Sequence, residues 1–88
     1  MTAKGFTCPV CGYPALRAIP RPPGGGGSYE ICPSCGFQFG VTDDDEGVSY
    51  AQWRTQWIGN GCSWSSMGIN APEGWDPQKQ LMLAGLVE

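Results

Sequence analysis

A chain of 88 residues has room for one domain and none for a large enzyme core. It holds no histidine, which excludes Ser-His-Asp triads, Cys-His dyads and His-ligated metals, and five basic against eight acidic residues (formal charge −3) lack the cationic excess that phosphate binding requires. Fourteen Gly and eight Pro fill a quarter of the positions, leaving few side chains to offset the entropy of ordering, so the sequence calls for a staple.

In chain order, Met1 to Gly5 leads into Phe6-Thr7-Cys8 without an apolar leader, and no apolar run reaches 18 residues. That pattern predicts a cytoplasmic protein without a membrane span. Phe6 to Tyr13 is a turn-rich block around Cys8-Pro9-Val10-Cys11-Gly12. Between Pro14 and Pro20, Leu16 and Ala18 alternate with Arg17 and Ile19, the pattern of a brief strand. Arg21 to Gly27, two prolines followed by four glycines, cannot hold regular structure and reads as a hairpin tip. Tyr29-Glu30-Ile31 returns as a second strand, and Phe37-Gln38-Phe39 makes a third with both rings on one face. After the acidic run Asp43 to Glu46, Ser49 and Gln52 form a capping box, which predicts a helix from Tyr50 to Ile58 ended by Gly59 and Gly61. Its stripe of Tyr50, Trp53, Arg54, Trp57 and Ile58 predicts packing of Trp53, Trp57 and Ile58 on Phe37, Phe39 and Ile31. Beyond an irregular stretch from Cys62 to Gly68, Asp76-Pro77 is an N-cap and first-turn pair that starts a short helix through Leu83.

The chemistry concentrates in the cysteines. Cys8 and Cys11, and Cys32 and Cys35, form two Cys-x-x-Cys pairs with 20 residues between them, the spacing of structural zinc sites. Thiolates at i and i+3 of a tight turn both reach one ion, and two such turns close a tetrahedron. Both turns repeat Cys-Pro-x-Cys-Gly, with Gly12 and Gly36 where positive φ is expected. Disulfides fit poorly with an odd cysteine count, and a thioredoxin-type redox pair needs one motif on a strand-to-helix turn. Four thiolates saturate a tetrahedral ion and leave no position for substrate, so the expected metal is structural and no enzyme activity is expected.

The segment Phe6-Thr7-Cys8-Pro9-Val10-Cys11-Gly12-Tyr13, with Gly27-Ser28-Tyr29-Glu30-Ile31-Cys32-Pro33-Ser34-Cys35 and the acidic stretch after it, resembles the small bacterial cysteine-rich CPCC family. The likeness covers about residues 6 to 46, with Val10 where that family's namesake motif has a further cysteine. It implies a zinc-ribbon-like domain with Cys8, Cys11, Cys32 and Cys35 as ligands and no assigned reaction. The two turns also resemble those of rubredoxin, which would imply iron and single-electron transfer at the same four sulfurs.

The remaining features are weighed against plain structural roles. Trp64 and Trp75, on loops beside Met67 and Pro72, are candidate partner-binding residues, because aromatics and Met concentrate in interface centres. The acidic run reads as a solvated turn near a helix start and not as a calcium loop. Lys4, Arg17 and Arg21 are too scattered to mark a nucleic-acid surface. Cys62, without a neighbouring base, reads as a small buried residue or an idle thiol. The expected fold is α+β, a single domain over 1–88. A zinc-ribbon-like three-stranded antiparallel sheet occupies 1–42, and a packed helix with a short C-terminal helix occupies 43–88. The expected function is a zinc-stabilised module that binds another protein. An iron electron carrier and a nucleic-acid-binding ribbon are the alternatives.

Overall fold

A computed structural model describes residues 5–87. Two six-residue knuckles organise the first half. The Cys8 amide donates to the Tyr13 carbonyl at 2.8 Å, and the Cys32 amide to the Phe37 carbonyl at 2.9 Å. Within each turn the glycine donates back to the first cysteine, Gly12 to Cys8 at 2.9 Å and Gly36 to Cys32 at 2.8 Å. Closing a loop this tight needs left-handed backbone, φ +86° at Gly12 and +83° at Gly36, which a residue with a Cβ rarely adopts. Side chains would also meet close neighbours there, backbone in the first case and the end of a side chain in the second. A Cβ on Gly12 would lie 2.7 Å from the Gln80 carbonyl oxygen, and one on Gly36 would lie 2.5 Å from Ser65 Oγ.

The expected three-stranded antiparallel sheet does not form. Among the described residues there is no strand, only two isolated antiparallel bridges, Phe6 with Leu16 and Ile31 with Gln38. The reasons are local. Past the first bridge, the amides of Arg17 and Ala18 turn to the Glu30 carboxylate at 2.9 to 3.1 Å instead of to a neighbouring strand. Tyr29 takes φ +64°, which breaks the extended run before Ile31. The Gln38 amide goes to Thr42 Oγ1 at 3.2 Å, and Gly40 bends the chain at φ +99°. Backbone pairing between the second and third expected strands is therefore confined to the Tyr29 amide on the Phe39 carbonyl at 2.8 Å, the Phe39 amide on the Glu30 carbonyl at 3.3 Å and the Cys32–Phe37 bond, and does not extend into a ladder. The glycine-rich tip is closed by the Ser28 amide on the Pro20 carbonyl at 3.0 Å.

Helix α1 runs Tyr50–Gly59 and α2 runs Pro77–Leu83. Both begin where their caps place them. Ser49 Oγ accepts from the Gln52 amide at 3.1 Å while Gln52 Oε1 accepts from the Ser49 amide at 2.8 Å, and Asp76 Oδ1 accepts from the Lys79 amide at 3.1 Å. From α1, Tyr50 and Trp53 pack edge-on to Phe37 with centroids 5.3 and 5.7 Å away, and Trp57 is buried. Ile31 and Ile58, expected in this core, are exposed. Cys32 points inward, so strand-like alternation sends Ile31 outward. The buried cluster joins Leu16, Phe37, Phe39, Trp57 and Leu81 to all five cysteines, so the sulfurs sit at the centre of the interior. No helix among the described residues is long and apolar enough to cross a membrane.

Candidate metal centre

The four knuckle cysteines converge. Their sulfurs all lie within 4.8 Å of one another, and the cross-knuckle pairs Cys8–Cys35 and Cys11–Cys32 stand at 3.9 and 3.6 Å. Four sulfurs about 2.3 Å from a shared zinc ion would be separated by about 3.8 Å along each tetrahedral edge. A disulfide needs about 2.0 Å, and all five cysteines are free thiols. Donor type, number and spacing fit one thiophilic cation, so the cluster can hold a metal. Cys8, Cys11 and Cys32 are fully buried and Cys35 is 4% exposed. The Val10 amide lies 3.4 Å from Cys8 Sγ, a donor available to a thiolate.

Electrostatics point the same way. Thiol donors from Cys32, then Cys35 and Cys8, stabilise the Cys11 thiolate and push its pKa far below the ordinary value. Cys32 and Cys35, each hydrogen-bonded to the Cys11 sulfur and buried, are pushed far above theirs. A protein-only cage thus keeps protons between sulfurs because adjacent negative charges repel. A divalent cation relieves that repulsion by taking the place of the protons.

Both helices grip the knuckles through backbone carbonyls. Arg54 of α1 donates from Nε to the Val10 carbonyl at 2.7 Å and from Nη2 to the Pro9 carbonyl at 2.8 Å. Trp53 Nε1 donates to the Cys35 carbonyl at 2.9 Å. From α2, Gln80 Nε2 donates to the Cys11 carbonyl at 3.0 Å and lies 3.1 Å from Ser34 Oγ, while its Oε1 accepts from Trp75 Nε1 at 2.9 Å. The sequence reading missed Arg54, Ser34 and Gln80 as supports of the site. Arg54 did fall on the aromatic stripe, a signal that it faces inward, but nothing named its target. Gln80 carried no signal.

Trp64 and Trp75 are half-buried and meet edge to face at 5.0 Å, with Tyr13 edge-on to Trp64 at 5.7 Å. Their indole donors are engaged internally, Trp64 with the Ile69 carbonyl at 2.7 Å and Trp75 with Gln80. Trp75 also lines an open, largely apolar groove of about 350 Å³ with Tyr13, Pro72, Lys79 and Leu83. Cys62 is buried, and burial, with a smaller contribution from Cys11, pushes its thiol pKa up. In the acidic run, Asp43 and Asp44 pair with Arg21 at 2.9 and 3.1 Å. Lys4, one of the three scattered basic residues, lies outside the described residues.

The fold and site define a small cysteine-caged domain, and the comparisons place it beside two distant homologues. No protein-family model and no solved structure matches the chain. The uncharacterised protein YoaQ of Bacillus subtilis is 29% identical over 75 residues, covering 69% of this chain and 64% of YoaQ. The uncharacterised protein YozI of the same organism is 32% identical over 75 residues, covering 66% of this chain and 60% of YozI. The chain therefore spans less than two thirds of the length of each relative.

Proposed function

We propose that the chain is a small structural zinc-binding domain that works in the cytoplasm as a protein-interaction module and carries no catalytic apparatus. The observation that carries this reading is the buried cluster of four sulfurs, all within 4.8 Å of one another. Four thiolates would complete the coordination of one zinc ion and leave no open position for substrate, which suits a structural ion. The resemblance to CPCC proteins at Cys8, Cys11, Cys32 and Cys35 supports the same assignment. Five reduced cysteines suit a cytoplasmic setting. The same donors accept iron, but a cage of cysteines at most 4% exposed suits a structural ion better than an electron carrier that must present its centre to a partner. Among the basic residues, Arg21 is paired with Asp43 and Asp44 and Arg54 with knuckle carbonyls, which weakens the nucleic-acid alternative.

Trp75 and its groove support the interaction reading, with Trp64 acting as the strut behind it. Elemental analysis of the purified chain should give one zinc per molecule and a colourless solution, and Cys11→Ser should abolish the binding. A red, iron-containing protein or a metal-free wild type would overturn the assignment. Leu83 is 80% exposed at the groove, so Leu83→Glu should leave metal content unchanged and abolish retention of a bound partner protein. Equal retention by both forms would exclude this groove as the docking surface.

A further inference from the structure

We propose that Gln80 is a positioning residue for the metal, a strut from α2 that holds the two knuckles at the separation a small divalent ion requires. This rests on the zinc-binding reading above. Among the described residues outside the two Cys-x-x-Cys turns, Gln80 is the only one whose side chain hydrogen-bonds to both of them. One contact is the Cys11 carbonyl of the first turn, and the other is the fully buried Ser34 hydroxyl between Cys32 and Cys35 in the second. Arg54 reaches only the first turn and Trp53 only the second.

The amide is fixed as well as placed. Gln80 is 9% exposed, and the Trp75 indole N–H donates to its oxygen, which dictates which end carries the NH₂ and leaves both hydrogens for the knuckles. Helix α2 cannot advance further onto the first knuckle, because the Gln80 carbonyl and the Ala84 Cβ already sit where any side chain on Gly12 would lie. The two short sulfur distances, 3.6 and 3.9 Å, both cross from one knuckle to the other, so they are the distances this strut controls. Releasing it lets the cage widen. The cost then falls on a small ion, which needs all four sulfurs drawn close, more than on a larger ion of the same charge.

The test uses the full chain and Zn²⁺, Cd²⁺ and Co²⁺ as probes, with affinities from chelator competition. Gln80→Met keeps length and packing but removes the donors. It should lower Zn²⁺ affinity by roughly 10- to 100-fold, the usual effect of losing an outer partner of a metal ligand. Cd²⁺ affinity should fall several-fold less, and the visible bands of the Co²⁺ tetrathiolate should shift and weaken. Trp75→Phe keeps the ring and frees the amide to turn over, so it should show the same signature at smaller amplitude. Asp76→Ala removes the α2 cap without touching the amide and should change neither the Zn²⁺ to Cd²⁺ ratio nor the Co²⁺ bands. The proposal is overturned if Gln80→Met and Trp75→Phe bind both ions like wild type, or if Asp76→Ala reproduces their change in ratio. A wild type that binds none of the three ions overturns the zinc reading itself.

Discussion

Arg54 directs two arms of its guanidinium onto the carbonyls of Pro9 and Val10, the pair that spaces Cys8 from Cys11. The planar fork fixes both carbonyls at once, which lysine, a single flexible point charge, cannot reproduce. Arg54→Lys is therefore expected to lower the unfolding free energy of the metal-loaded chain by about 1 to 2 kcal/mol and Arg54→Ala by about 3 kcal/mol, read from urea midpoints. Equal midpoints for wild type and Arg54→Lys would show that one contact suffices. Spacing of residues on a helix shows which face turns inward, and that much was legible at Tyr50, Trp53, Arg54 and Trp57. It does not show what lies across the interface when, as here, the partners are 44 and 45 positions away.

At the scale of elements, Glu30 does the joining that strand pairing was expected to do. Its carboxylate collects the amides of Arg17 and Ala18, so the two halves of the first forty residues meet through a side chain. Glu30→Ala should cost about 1 to 2 kcal/mol, less than a buried charged hydrogen bond would, because water can reach those amides. Glu30→Gln, which keeps one acceptor, should cost less. A null effect of Glu30→Ala on the urea midpoint would assign the junction to the Ser28–Pro20 hydrogen bond and the cysteine cage. The helices were legible because their signals are local, Ser49 with Gln52 and Asp76 with Pro77. So was the convergence of two Cys-x-x-Cys turns, which spacing alone encodes. The sheet was misread because alternation at Leu16, Ala18, Phe37 and Phe39 reports which way side chains face. Whether consecutive amides find a neighbouring strand is decided by other groups such as Glu30 and Thr42.

For the molecule as a whole, an interior built around sulfur would tie folding to any ion the cage holds. Zinc binding in small domains contributes about 10 to 16 kcal/mol, as much as the whole stability of many folds. Chelation should accordingly weaken the near-ultraviolet circular dichroism of the Trp53 and Trp57 packing. The two forms should also respond to pH with opposite sign. In the metal-free fold, Cys32 and Cys35 keep protons that the unfolded chain releases near the ordinary value of 9.0, and burial adds Cys62 in the same direction. Their stabilising contribution is present below that value and is lost as pH rises beyond it, whereas the depressed Cys11 contributes above it and loses that contribution as pH falls. With three groups raised against one lowered, the residual metal-free fold should weaken in alkali. The loaded fold should weaken in acid, where protons compete for the thiolates. Dichroism followed against pH with and without zinc should show these two slopes, and parallel curves would refute the account.

The sealing of the cage by Arg54, Trp53 and Gln80 also sets a clock. A competing chelator cannot reach cysteines that are 0 to 4% exposed until a helix lifts away, so the speed of extraction should level off as competitor is added, at the frequency with which the protein opens.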